Sequence, residues 1–345
     1  MFRYNFLTVL LLLLSRIVVA QDPHFSFFSS NALAVNPGLV GQVNTYSSRI
    51  QLSYRHQWST VLDNGAFKTA FGSFEHRICL PLRNTFLGLG ASFIGDERGD
   101  FPLKRADAFG AASFIVLLSD NSQSSAYLSA GIEGGWVFHK LGPGKLTFDE
   151  QFDDPDLPPE VEALSSSSEA DMGIGAVFTF AKKPRATGVS AQVGMSIKHL
   201  TKPPLSFYQL PDEITPRLEH HYVYHGAALF KFSKKIAIPA QLVYRVQRPH
   251  RQVLTSLGLE YTPQKDWRLQ FATGLRLARG IDGFRSDALV PRFSVLNERT
   301  QFTASYDINI SGLQNASSAQ GGLELQLTIL FNDDNDDCKI VFCHF

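Results

Sequence analysis

The sequence lacks most of what a soluble enzyme or a helical membrane protein would need. After Gln21 no apolar run approaches the ~20 residues that a membrane-crossing helix requires, and a helical membrane protein is excluded. Lys and Arg together number 32, as do Asp and Glu. The chain therefore has no global basic field of the kind nucleic acid would select, and nucleic acid is not an expected partner. No nucleophile elbow, zinc-ligand pair or phosphate loop is found. Ser, His and Asp are abundant, but abundance is not geometry, so no catalytic residue, cofactor or metal is expected and the chain reads as a non-enzyme. The mean hydropathy of -0.05 excludes nothing further, because lipid-facing and lumen-facing residues of a β-barrel alternate and cancel in any average.

What is present begins with an export signal. Arg3 precedes the apolar run Phe6 to Leu14, and the small-residue site Val18-Val19-Ala20 follows just before Gln21. This pattern predicts a signal peptide over residues 1–20, cleaved after Ala20. Ser15 and Arg16 interrupt the run too early for a membrane anchor. Export into an oxidising compartment would allow a disulfide between Cys338 and Cys343, close together in the tail, whereas the third cysteine, Cys79, falls at the end of an expected strand. With 28 Phe and 10 Tyr, the composition favours strands and interfacial aromatic girdles.

Period-two alternation recurs along the whole chain, while helical spacing is hard to find. Val189, Ala191, Val193, Met195 and Ile197 share one face, opposite Ser190, Gln192, Gly194 and Ser196. Trp267, Leu269, Phe271, Leu275 and Leu277 likewise oppose Arg268, Gln270, Ala272, Gly274 and Arg276. A soluble sandwich also alternates, but its strands typically last only about 5–6 residues, and these runs are as long as a tilted membrane strand requires. Turn residues place strands near 48–58, 66–78, 86–94, 107–117, 126–138, 171–181, 187–198, 219–232, 236–246, 252–262, 266–277, 287–296, 299–310 and 320–331. The fold class is thus an all-β, antiparallel, transmembrane outer-membrane β-barrel of about fourteen strands, or twelve if the poorly alternating 66–78 and 107–117 are not counted. An even count puts both termini in the periplasm, with short periplasmic turns and longer outer loops. The expected organisation is a periplasmic N-terminal strap or plug over 21–47, a barrel over 48–331 and an acidic periplasmic tail over 332–345.

Several side-chain groups carry chemistry worth weighing. Glu219, His220, His221 and His225 suggest a metal site, but in a strand His221 and His225 share one face and His220 takes the other; a loop-edge cluster is the reading adopted. The acidic run Asp333 to Asp337 lacks the glycine and bidentate glutamate of a dedicated calcium loop and reads as a solvated tail or a docking strip. Inward candidates Arg55, Glu133, Lys198, Arg245, Glu260, Arg268 and Arg276 carry both signs. They would either line an ion-selective pore or pair with one another in a filled lumen, and the filled lumen is the expectation. The segment with Phe25, Phe27 and Phe28 either packs inside the barrel mouth or contacts periplasmic machinery.

Asp22-Pro23-His24-Phe25-Ser26, then Asn31, then Asn36-Pro37-Gly38 and Gly41, resemble the N-terminal signature of the PorP/SprF family of type IX secretion system membrane proteins. The similarity continues through Tyr54-Arg55-His56-Gln57-Trp58, Leu146 to Gln151, His199-Leu200 with Pro203 and Ser206-Phe207, and Tyr306-Asp307 with Ser311 and Leu313. His56 stands where the family usually has Asn, and the acidic tail is longer than its pattern. The resemblance implies an outer-membrane component of type IX secretion in Bacteroidetes. Such a protein supports secretion and cell-surface anchoring of a partner such as an adhesin, or couples to periplasmic secretion and gliding machinery. Its implied partners are outer-membrane lipid, a secreted client and periplasmic type IX components. The competing reading is an outer-membrane channel for small or hydrophobic solutes, of the fatty-acid-channel type.

Overall fold

The computed structural model describes residues 22–26, 31–43, 46–59, 61–62, 65–99, 103–141, 166–183, 186–205, 215–264, 266–280 and 283–332. The predicted signal peptide, most of the longest loop, Ser206, Phe207, the acidic run, Cys338 and Cys343 lie outside them.

Fourteen strands follow one another: β1 (Ser48–Gln57), β2 (Phe67–Cys79), β3 (Thr85–Arg98), β4 (Leu103–Asp120), β5 (Ser124–Leu141), β6 (Ser166–Lys182), β7 (Gly188–Lys198), β8 (His221–Lys231), β9 (Ile236–Gln247), β10 (His250–Gln264), β11 (Trp267–Gly280), β12 (Gly283–Asn297), β13 (Thr300–Asn309) and β14 (Gln320–Phe331). Each pairs antiparallel with its neighbours in sequence. The sheet closes where β1 meets β14, from Ser48 opposite Phe331 to Gln57 opposite Gly322. All fourteen expected strands are present, and β3 to β6 run past the ends read from alternation. Their extension leaves only 121–123 between β4 and β5.

Burial along each strand is inverted relative to a soluble protein. Outward residues are large, apolar and exposed: Trp136 is 56% accessible, Ile132 59% and Phe271 58%, while the inward Arg55 and Glu75 are 3% and 0% accessible. An apolar exterior of this extent is stable only against hydrocarbon, and closure leaves no sheet edge with unpaired backbone groups. The molecule is an outer-membrane-type β-barrel. Two short helical turns precede β1, one over Ala32–Val35 and a 3-10 turn over Pro37–Leu39. Both belong to the N-terminal segment, which lies inside the barrel.

The poor alternation of β2 and β4 has a local cause. Phe71 of β2 points inward and meets Phe25 edge-on, with ring centroids 6.0 Å apart. Together with Ala111 of β4, Ile94 of β3 and Val177 of β6, it packs on Ala32, Leu33, Leu39 and Val40 of the N-terminal segment. A second inward apolar patch, Val223 and Ala227 of β8 with Val243 of β9, receives Val35. These wall positions are apolar because they face the chain's own segment, not lumen water.

Candidate functional site

The N-terminal segment runs the length of the lumen, and its polar contacts form a ladder. At the end bearing the β5–β6 and β7–β8 connections, the Asp22 amide donates to Gln247 Oε1 at 2.9 Å, and Arg105 donates to Asp22 Oδ1 at 2.7 Å. A few residues on, the Ser26 amide and hydroxyl donate to Glu324 and Asp307 at 2.9 and 2.8 Å. Ser53 then donates to Asn31 at 2.6 Å, and the Ala32 amide donates to Gln51 at 3.2 Å. Asn36 donates to the carbonyls of Ala176 and Met195 and contacts His225 Nε2 at 3.0 Å. Gln42 bridges Ser129, Thr179 and Gln192. At the opposite, short-turn end, Glu75 accepts from the Gly41 amide at 2.7 Å, and Arg77 donates to the carbonyls of Val43 and Tyr46 at 2.6 and 2.9 Å. A segment with so little regular structure satisfies its backbone through the wall's side chains, as burial demands.

Close approach requires small residues on both sides. Gly41 adopts φ +74°, a conformation that favours glycine. A Cβ on Gly131 would stand 2.3 Å from the Pro37 carbonyl oxygen, and one on Gly175 would stand 2.0 Å from Asn36 Oδ1.

Two charged clusters hold the long-loop end. In the first, Arg55 of β1 pairs with Asp307 of β13 at 2.6 Å and Glu324 of β14 at 3.3 Å. Arg276 of β11 reaches the same Asp307 oxygen at 2.6 Å. In the second, Asp22 Oδ2 accepts from His199 Nε2 at 2.6 Å and His221 Nδ1 at 2.8 Å, and Asp171 takes the other nitrogen of His199. Burial opposes the charge on His199, but the Asp22 and Asp171 carboxylates outweigh it and raise its pKa to about 9. Burial would raise Asp22 as well; the charges of His199 and Arg105 hold it well below the usual carboxylate range instead.

The motif residues read from the sequence take different places in the fold. Asp22, Ser26, Arg55, Asp307 and His199 meet in these clusters. His24, beside Gln252 at 3.2 Å, and Phe25, Asn31, Asn36, Pro37 and Gly41 fix the segment, with Pro23 between Asp22 and His24. Gln57 receives Arg55 Nη2 at 3.2 Å. Tyr54 and Tyr306 face outward and take no part, at 44% and 39% exposure. Trp58 follows β1 with φ 64° and donates its amide to the Gly321 carbonyl at 2.8 Å. Leu200 and Pro203 shape the turn after β7: the Leu200 amide donates a hydrogen bond to the Met172 carbonyl, and the Leu218 amide donates one to the Pro203 carbonyl.

Of the inward charges, Glu133 pairs with Lys198 at 2.9 Å and Glu260 with Arg268 at 3.9 Å, and Arg245 donates to the Phe25 carbonyl at 3.3 Å. His221 and His225 do share the inward face. Their partners, Asp22 and Asn36, come from a segment without periodicity, and local spacing gives no sign of them.

Cys79 is disulfide-bonded. The chain has three cysteines, and the pairing expected between Cys338 and Cys343 lies outside the described residues. Phe331, the last residue of β14, stacks on Phe74 of β2, and the Ser47 amide donates to Asn332 at 3.2 Å. Phe331 and Asn332 therefore lie beside the strand that ends in Cys79.

The sequence model of one family, described as "Type IX secretion system membrane protein PorP/SprF", matches residues 17–328. No curated protein matches the chain. Solved structures of similar architecture include the toluene transporter TbuX of Ralstonia pickettii, 11% identical over 87% of this chain and 93% of that one, with a TM-score of 0.49. The toluene transporter TodX of Pseudomonas putida is 10% identical over 90% and 97%, with a TM-score of 0.47. CdiB from Acinetobacter baumannii is 7% identical over 82% and 60%, with a TM-score of 0.42.

Proposed function

Because this chain belongs to the PorP/SprF family of type IX secretion system membrane proteins, we propose that it is a non-enzymatic outer-membrane scaffold that supports secretion and cell-surface anchoring of a partner protein such as an adhesin. The long-loop mouth, with the β5–β6 and β7–β8 connections, faces the cell surface and receives the client. The short-turn mouth faces the periplasm and meets the secretion and gliding machinery. Both orientations follow from the usual loop asymmetry of bacterial barrels. A cleaved signal peptide over residues 1–20 delivers the chain to that membrane.

The observation that carries this reading over a solute channel is the occupied lumen. Inward side chains around the wall, among them Gln51, Glu75, Thr179, Ser294 and Glu324, are at most 1% accessible. A solute path beside them would have left them wet. What remains available for function is the pair of mouths, and that suits a scaffold.

The test is affinity purification of the tagged protein from its own outer membranes, with intact and loop-deleted forms compared by mass spectrometry. The deletion should span 142–165, which spares β5 and β6. Recovery of a secreted protein or of secretion subunits, lost on deletion, is the expected result. A lone barrel that conducts in planar bilayers would sink the proposal in favour of transport.

A further inference from the structure

The second charged cluster has the makings of a metal site. A carboxylate oxygen of Asp22 and one nitrogen each of His199 and His221 lie within 4.8 Å of one another. Both nitrogens address the same oxygen, Oδ2, at 2.6 and 2.8 Å. Sheet register brings the histidines together: Lys198 is paired with His221 across β7 and β8, and His199 follows directly, turned by its φ of 59°. The rings stack at 15°, with centroids 6.4 Å apart. Both are buried, at 3% and 8% exposure.

We propose that Asp22 Oδ2, His199 Nε2 and His221 Nδ1 bind a divalent cation of the zinc class, which clamps the N-terminal segment to the base of the β7–β8 connection. Two imidazole nitrogens with one carboxylate oxygen suit zinc or its borderline neighbours; calcium and magnesium take all-oxygen shells. Three protein ligands leave a fourth tetrahedral position open.

The surroundings fit this assignment. The carboxylate of Asp171 holds His199 at Nδ1 and so aims Nε2 at the ion, the carboxylate–histidine arrangement that orients ligands at metal sites. Asp171 is itself fixed by Thr201 Oγ1 and the Met172 amide, both at 2.8 Å. Arg105 keeps Asp22 Oδ1 and a bidentate contact to Asp107, so the ion would not have to displace it. With both imidazoles neutral, as ligation requires and with the proton of His199 released to solvent, the carboxylates of Asp22, Asp107 and Asp171 exceed the one guanidinium by two charges, which is the charge of the ion. Seating it requires the ligand atoms to spread to roughly 3.3 Å, set by metal–ligand bonds of about 2.0–2.2 Å. That is a small movement for an aspartate in an irregular segment.

The test uses untagged, EDTA-stripped protein in detergent, titrated with zinc chloride under competition from a chromogenic chelator and, separately, with cobalt chloride. The expected result is one ion per chain and the visible absorption of four-coordinate cobalt. Affinity should fall more than ~100-fold in His199→Gln and His221→Gln, fall about 10–100-fold in Asp171→Asn, and hold in the control His250→Gln. Unchanged binding in His199→Gln and His221→Gln, or no binding by the wild type, would overturn the assignment. Should those variants fail to fold, the wild-type cobalt spectrum decides: a six-coordinate spectrum refutes the site and a four-coordinate one supports it.

Discussion

Arg55 on the first strand and Asp307 on the thirteenth meet at 2.6 Å across the inner face of β14, so one ion pair bridges the seam where the barrel closes. Glu324 lies on the bridged strand, 3.3 Å from the same guanidinium, and Ser26 of the N-terminal segment donates to both acids. Replacing Arg55 with Ala would leave Glu324 buried without its cation, while Asp307 keeps only Arg276. Breaking a buried pair in this way typically costs about 3–5 kcal/mol. The variant should lose its heat-resistant mobility on gels at a clearly lower temperature than the wild type. An unchanged transition would mean that the seam is held by its backbone ladder alone.

Removal of the N-terminal segment should open the barrel. A variant lacking residues 22–43 but retaining residues 1–21 exposes Arg77, Glu75, Gln51, Ser129 and Thr179 to the lumen, a wall polar enough to hold water. Planar-bilayer recordings should then show steady ion conductance where the intact protein shows little. Equal conductance in both would contradict the segment's role as the filling.

Gly131→Val tests the same packing without a deletion. The added Cβ meets the Pro37 carbonyl oxygen at 2.3 Å, and neither backbone can retreat without disturbing the hydrogen bond from Ser129 Oγ to the Gly38 carbonyl at 2.6 Å. Hydrogen exchange over residues 31–43 should rise by an order of magnitude or more, equivalent to at least ~1.4 kcal/mol of lost protection, while exchange in β10 to β12 stays as it was.

The disulfide gives a chemical readout. Proteolysis without reductant should yield a peptide containing Cys79 joined to one from the tail, detectable by mass and lost in Cys79→Ser. A peptide with Cys338 joined to Cys343 would refute this connectivity.

The strands were legible in the sequence because each inward residue differs in polarity from its outward neighbour, and the lipid enforces that difference on every strand. Legibility failed where a second chain segment replaced lumen water. In β2 and β4, Phe71 and Ala111 turn inward for Phe25, Leu33 and Val40, and the alternation blurs there. The ends of β3 to β6 were also hidden, since residues such as Ser166 to Glu169 leave the apolar band and carry no two-sided contrast. At the candidate site, spacing correctly put His221 and His225 on one face. Nothing local could supply the partner Asp22, which lies 177 residues from His199 in sequence and is brought there only by closure of the whole wall.

That closure dictates an order of events. The first and last strands form the seam, and the chain preceding β1 already lies within the wall they complete. While the sheet is still an open trough, this chain can be laid along the concave side, its amides finding Gln51, Glu75 and Glu324 one after another. Once β14 zips onto β1, the same chain can leave only lengthwise through a mouth, breaking every contact on the way. The fourteenth strand is therefore a bolt as well as a stave: its arrival fixes the interior kinetically, and a chain that closed empty would have to thread its own beginning through a finished ring.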